Sequence, residues 1–226
     1  MAPRAVLFDA GGTLVFIHGE RVAEAARRRG VIVRPEEIEA ADPGVRRALD
    51  RAPAARGTDD RSRGDVYLRD LLQAVDAAGP IEEAVEELNR EHARSNLWSR
   101  TPPEVAVALD LLRGTRLAVV SNSNGTVREL LRRVGLADRF ETIIDSAEVG
   151  VEKPDPGIFR IALDRMGLTA AEAVYVGDTW HFDVVGARAA GLEAILLDPG
   201  GLYPDAEARR VRSLAELIEA LRTPGL

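Results

Sequence analysis

Val6-Leu7-Phe8-Asp9-Ala10-Gly11-Gly12-Thr13-Leu14 is the stretch from which this chain is best read. Three apolar residues of β-forming type run into a carboxylate at Asp9, and two glycines follow at once. A parallel strand with both faces covered presents a polar group in this way, because only its end meets solvent. The glycines allow a tight turn and a close ligand approach, and Thr13 sets a hydroxyl on the far side of that turn. Taken alone, Asp-x-Gly-Gly equally fits a strand end whose Asp opens a turn, so the choice depends on what surrounds it.

From Thr101 onward the rhythm is strand and helix in alternation, the pattern of a parallel sheet with helices on its faces. Strands read at Leu117 to Val120, Thr142 to Asp145, Val174 to Val176 and Ala194 to Leu197. Capping boxes read at Thr101 with Glu104, Thr126 with Glu129, Thr169 with Glu172 and Ser213 with Glu216. Asp155 and Pro156 open a helix that ends at Gly167, and a further helix reads over Asp183 to Ala190. A lone first strand has no stability, so it joins the later ones, giving an α/β, Rossmann-like doubly wound parallel sheet over residues 1–15 and 99–226.

Residues 16–98 read as an all-helical block inserted after the first strand. Val15 to His18 reads as a short flap, and Glu20 to Arg29 as a helix closed by Gly30. Pro35 opens Glu36 to Ala41, and a second stretch covers Val45 to Ala52. Ala54 to Asp65, with Arg56, Asp59, Asp60, Arg61 and Arg63, has no apolar period and reads as a loop. Asp65 then caps an amphipathic run through Leu68, Leu71 and Leu72, and Pro80 begins another with Ile81, Val85 and Leu88. An insert leaving the carboxyl edge of the sheet sits over the crevice where such sheets bind ligands, with hinges near residues 16 and 98.

The 226 residues are 46% hydrophobic and carry a formal charge of -7, which argues against nucleic-acid and anionic-membrane partners and favours a metal or cationic ligand. With no cysteine there is neither a disulfide framework nor thiolate chemistry. No signal peptide or membrane-spanning run is evident, so the expected location is the cytoplasm. Of the 30 basic residues only Lys153 is lysine. In a chain that otherwise writes Arg, that choice suits a compact ammonium among carboxylates and phosphate oxygens.

Parallel strands bring Asp9, Ser121, Asp178 and the loop carrying Lys153 to one edge. Asp178 and Asp183, five apart, can hold a hard cation with Asp9, and Ser121 and Lys153 can take phosphate oxygens. Asp9 can then attack phosphorus to form an acyl-phosphate, with positioning and electrostatics supplying most of the catalysis. Singly, each residue also reads as a cap or turn residue; their joint order at strand ends does not.

On these residues the chain resembles the haloacid dehalogenase superfamily, the HAD-like hydrolases, in the form with a helical cap inserted after the first motif. That family's phosphatases begin Asp-x-Asp-x-Thr, matched by Asp9, Gly11 and Thr13 with one departure. Ser121 before Asn122 matches the second motif, Lys153 the third, and Asp178 with Asp183 the fourth. The resemblance implies Asp9 as nucleophile, Mg²⁺ held by Asp9, the Gly11 carbonyl and Asp178 with Asp183 assisting, and phosphoryl or substrate contacts from Thr13, Ser121, Asn122 and Lys153. It implies a small phosphorylated metabolite as substrate, chosen by the cap, and a monomer or homodimer.

The departure is Gly11. In the family's phosphatases an Asp there protonates the leaving group and activates water, help worth ~10² to 10⁴ in rate. Either His18 or His181 replaces it, or the substrate has a leaving group that needs no proton. A 2-haloacid dehalogenase, which displaces halide, is the first alternative, although Asp178 speaks against it and Phe159 stands where those enzymes commonly have Tyr. A family branch that cleaves phosphorus-carbon bonds through a cap lysine fits less well, because Lys153 is the only lysine. A catalytically impaired phosphate- and metal-binding protein is the second alternative.

Overall fold

The computed structural model describes residues 3–53 and 60–222. The chain divides into two compact units, Met1–Val15 with Thr101–Leu226, and Phe16–Arg100.

The first unit is built on six strands, β1 (Ala5–Phe8), β2 (Arg116–Ser121), β3 (Thr142–Asp145), β4 (Ala173–Gly177), β5 (Glu193–Leu197) and β6 (Arg209–Val211). They form one parallel sheet in the order β3-β2-β1-β4-β5-β6. β1 is therefore central, and the chain reverses its winding between β1 and β4, the switch point at which such sheets open a ligand crevice at their carboxyl ends. Phe8 pairs with Val119 on one side and Val176 on the other, so Asp9 leaves the sheet at that point.

Both faces are covered, which explains why the strands read as unbroken apolar runs. Leu7, Val120, Tyr175 and Leu196 pack with Ile158, Phe159 and Ala162 of the helix Pro156–Met166 and with Ala187. On the alternate positions Val6, Phe8, Val119, Val174 and Ile195 are buried too.

Among the described residues the second unit holds four helices, α1 (Gly19–Arg27), α2 (Pro35–Arg51), α3 (Asp60–Ala74) and α4 (Ile81–Ser95), each packed against two of the others around Ile38, Leu68, Leu71, Leu72 and Leu88. Phe16 and Arg100 exchange backbone hydrogen bonds of 2.8 and 3.1 Å, which keeps Arg100 with this unit. Glu87 gathers Arg28, Arg29 and Arg90, joining α1 to α4.

Several sequence expectations need correction. α2 is one helix, not two, and runs through Pro43. Its buried stripe of Ile38, Asp42 and Val45 continues past the proline, and the Asp42 carboxylate accepts from the Tyr67 hydroxyl at 2.6 Å and Arg46 Nε at 3.0 Å. That burial outweighs the lost hydrogen bond of a mid-helix proline.

α3 begins at Asp60, so Asp65 lies inside it rather than capping it. Its first turn shows no apolar period, and it buries Arg63. Arg56 and Asp59 of the expected loop lie outside the described residues. Two of the four capping boxes do not form. Pro102, not Thr101, is the N-cap of α5 (Pro103–Leu111), and the Thr101 hydroxyl is buried without a partner. At α6 (Val127–Arg133) Thr126 makes no cap bond; the Asp145 carboxylate accepts from Val127 and Gly125 N–H instead. The box at Thr169 forms; at Ser213 the hydroxyl accepts from Glu216 N–H, while the Glu216 carboxylate accepts from Arg212 N–H, one residue before the cap. Among the described residues no helix is long and apolar enough to cross a membrane.

His92 makes the helical unit pH-sensitive. Burial, then Arg21, pulls its pKa from the ordinary 6.5 down to about 4, and its Nδ1 accepts from Leu97 N–H at 3.3 Å. Between these values the unfolded chain binds the proton and the folded one does not. Stability is therefore complete above about pH 6.5 and falls as pH falls toward 4, by roughly 2 to 3 kcal/mol. Urea unfolding of wild type and His92→Gln across this window should show the wild type losing that increment relative to the variant; parallel curves would refute the assignment.

Candidate functional site

Asp9 follows β1 directly, and its N–H donates to the Val176 carbonyl at 2.8 Å, extending the ladder to β4 by one bond. The chain then folds back sharply. Gly12 adopts a left-handed φ of 80° and donates to Val15 O at 2.7 Å, while Leu14 and Val15 N–H both return to Ala10 O. Gly12 is thus required for its conformation; Gly11 is not in that region. Thr13 is fully buried, and its hydroxyl has no hydrogen-bond partner.

Lys153 reaches Asp9 from a loop 144 residues away in sequence. Its Nζ donates to Asp9 Oδ1 at 2.6 Å, to Asp183 Oδ1 at 2.7 Å and to the Tyr175 hydroxyl at 3.1 Å. The lysine main chain is fixed just as firmly. Lys153 N–H donates to Asn122 Oδ1 at 2.7 Å, and Asn122 Nδ2 donates to Lys153 O at 3.0 Å, so both ends of that amide are occupied. Ser121, at the end of β2, is 4% exposed and turns its hydroxyl toward Asn122 O at 3.3 Å.

Asp183 lies in a π-helical turn, Trp180–Val185, that leads into the helix Gly186–Ala189, so the helix starts earlier than its sequence suggests. The wide turn aims Asp183 inward. Its Oδ1 accepts from Lys153 and, at 2.8 Å, from the Tyr175 hydroxyl; its Oδ2 accepts from Thr179 N–H at 2.9 Å and Thr179 Oγ1 at 2.5 Å. A carboxylate offers about four lone-pair sites, and here protein donors fill four.

Two glycines make room for this packing. A Cβ on Gly177 would lie 2.3 Å from Asp183 Cγ, and one on Gly186 would lie 2.9 Å from Pro154 Cα.

Carboxylate oxygens of Asp9, Asp178 and Asp183 lie within 4.8 Å of one another. Burial pushes the Asp9 carboxyl up to about 6, Asp183 adding to the rise and Lys153 opposing it. Burial works against Lys153 as well, but Asp183 and Asp9 together hold its ammonium above the usual lysine range. For Asp183 the burial cost is outweighed by Lys153 and Thr179, which keep it low. Burial and the carboxylates hold the Tyr175 phenol well above 10, so it remains a donor.

Lys153 pairs with Asp9 and Asp183, and an Asp178 oxygen lies within 4.8 Å of theirs. Hard oxygen donors grouped in this way fit a hard divalent cation. Asp183 is better occupied in holding Lys153.

The structure thus gathers Asp9, Lys153, Asp178 and Asp183 at one point and ties Asn122 to the lysine. The Ser121 hydroxyl bonds only within its own turn, and the Thr13 hydroxyl has no partner. Gly11 lies two residues past Asp9, and its backbone bridges to Val15. Sequence reasoning missed Tyr175, Thr179 and Asp145. A tyrosine inside an apolar strand is a usable signal, because a buried hydroxyl needs a partner. Asp145 and Ser146 organise the loop after Ser121: Ser146 Oγ accepts from Ser123 N–H and donates to Ser123 O.

Comparison with known proteins now bears on this geometry. Residues 3–191 match the family profile described as haloacid dehalogenase-like hydrolase. A phosphoserine phosphatase of Thermus thermophilus is 39% identical over 165 residues, covering 70% of this chain and 66% of that protein. A glyceraldehyde 3-phosphate phosphatase of Methanopyrus kandleri is 30% identical over 234 residues, covering 96% and 98%. Among solved structures, a 2-haloacid dehalogenase from Pseudomonas syringae pv. Tomato superposes with a TM-score of 0.62 at 28% identity, covering 98% of this chain and 99% of that one.

Gly177→Ala tests the packing under the site. The obstacle is steric, since φ at Gly177 is not left-handed. Displacing the Asp183 carboxylate should cost about 1–3 kcal/mol in chemical unfolding. Unchanged stability would mean that Asp183 moves aside freely.

Proposed function

The chain belongs to the haloacid dehalogenase-like hydrolase family, and from that premise we propose that it is a Mg²⁺-dependent phosphatase of a small phosphorylated metabolite, working through phosphorylation of Asp9. The observation that carries this reading is the Asp9 carboxylate held at 2.6 Å by Lys153 beside Asp178 and Asp183. Phosphatases among its relatives support it.

Asp9 and Asp178 would hold the ion, with the Gly11 carbonyl completing the set from the turn. When bound, Mg²⁺ supplies charge neutralisation for a phosphoryl group brought up to carboxylates. Lys153 fixes Asp9 by one carboxylate oxygen. Asp9 attacks phosphorus, the bond from phosphorus to the leaving oxygen breaks, and water then cleaves the acyl-phosphate to restore Asp9 and release phosphate. Ser121 and Thr13 would offer hydroxyls to the phosphoryl oxygens, while Asn122 positions the lysine. The helical unit, as a cap, would select the substrate.

Gly11 has no side chain to protonate the leaving oxygen or to activate water. The favoured substrates are therefore phosphates whose leaving groups depart as stable anions, such as aryl and acyl phosphates. Gly11→Asp should raise turnover of an alkyl phosphate by ~10² or more, and φ at Gly11 accepts a side chain. No gain would contradict this account of the position.

Dehalogenation is the second reading, favoured by Gly11 and by the solved dehalogenase relative and opposed by Asp178. A substrate panel of aryl, acyl and alkyl phosphates and 2-chloropropionate, with and without Mg²⁺, on wild type and Asp9→Asn separates the two. Phosphate release that needs both Mg²⁺ and Asp9 is expected. Chloride release without Mg²⁺ would reverse the order, and no turnover at all would leave a phosphate- and metal-binding protein.

A further inference from the structure

An ammonium has three N–H donors, and those of Lys153 go to Asp9, Asp183 and Tyr175. The first two acceptors are carboxylates of the site. The third comes from the interior of a strand and belongs to none of the motifs. Tyr175 is fully buried on β4, its ring meeting Phe159 edge-on at 4.9 Å and 87°. Its hydroxyl accepts a hydrogen bond from the Lys153 ammonium, donates to Asp183 Oδ1 at 2.8 Å, and lies 3.3 Å from the Val120 carbonyl of β2. One oxygen thus touches the Lys153 loop, the Asp183 turn and β2, the strand on the far side of β1.

We propose that Tyr175 is a positioning residue for the reaction, holding Lys153 so that its ammonium stays aimed at Asp9. The proposal rests on Asp9 being the nucleophile. Two hydrogen bonds leave an ammonium free to swing about the line joining its acceptors; a third, out of that line, removes the freedom. The same hydroxyl locks Asp183, so the two groups that position Lys153 are themselves coupled. Without it one buried N–H has no acceptor, and the ammonium turns to find one, loosening its hold on Asp9. Rate depends steeply on such placement. A phenylalanine would fill the same apolar space equally well, so packing alone does not account for the hydroxyl.

The single lysine makes this directly measurable. Protein labelled with heavy-nitrogen lysine carries one side-chain ammonium signal, that of Lys153, and the wild type should show slow proton exchange. Tyr175→Phe should speed that exchange about tenfold, the equivalent of one lost hydrogen bond. It should also lower kcat by about tenfold with little change in KM, since an interaction acting on the attacking group is lost rather than substrate binding. Phe159→Leu loosens the ring packing without touching the hydroxyl and should leave exchange slow. Unchanged exchange in Tyr175→Phe, or equal acceleration in Phe159→Leu, would overturn the proposal. If the wild type hydrolyses no phosphate, the phosphatase reading fails on its own. The lysine signal then still decides: accelerated exchange in Tyr175→Phe alone upholds the positioning contact, and unchanged exchange refutes it.

Discussion

The ammonium of Lys153, 4% exposed and bridging Asp9 at 2.6 Å and Asp183 at 2.7 Å, is the interaction on which the rest of the first unit depends. Burying such charges is costly, and the cost is offset only when each donor and acceptor is matched. The surrounding fold meets that condition in detail. β1 at the centre of the sheet delivers Asp9, Asn122 clamps the lysine main chain, and Gly177 and Gly186 let the Asp183 turn approach within contact distance. A longer side chain at either glycine would separate the groups that the charge pairing needs together.

The same geometry explains the single lysine in an arginine-rich chain. A tetrahedral ammonium can donate in three diverging directions to two carboxylates and a phenol. A planar guanidinium presents its donors in a fork suited to one carboxylate at a time. Arginines gather instead around single carboxylates such as that of Glu87, which is drawn down to about 2 by Arg29, Arg90 and Arg28. Lysine and arginine are divided here by the shape of the partner.

The sheet and the acidic cluster were legible in the sequence because strand ends are marked locally. Asp9 follows an apolar run with Gly11 two residues on, Asp178 follows one through Gly177, and the lone lysine stood out by composition. What was not legible depends on contacts between distant residues. Asn122 pairs with a main chain 31 residues away and Tyr175 with a side chain 22 away, and neither leaves a periodic trace. The helix starts at Thr101 and Thr126 carried the right residues, yet Pro102 is the cap of the first, and at the second the distant Asp145 carboxylate accepts the Val127 N–H. α2 passed through Pro43 because its buried stripe continued, and tertiary burial of that kind overrides local propensity.

The central claim is that Asp9 is the group that becomes phosphorylated. Acid-quenched protein, mixed briefly with an acyl phosphate and Mg²⁺ and mapped by peptide mass spectrometry, tests this without relying on turnover. The account predicts one phosphoryl group, removable by hydroxylamine, on the peptide containing Asp9, and none in Asp9→Asn. A phosphoryl group on another residue, or the same adduct in Asp9→Asn, would contradict it.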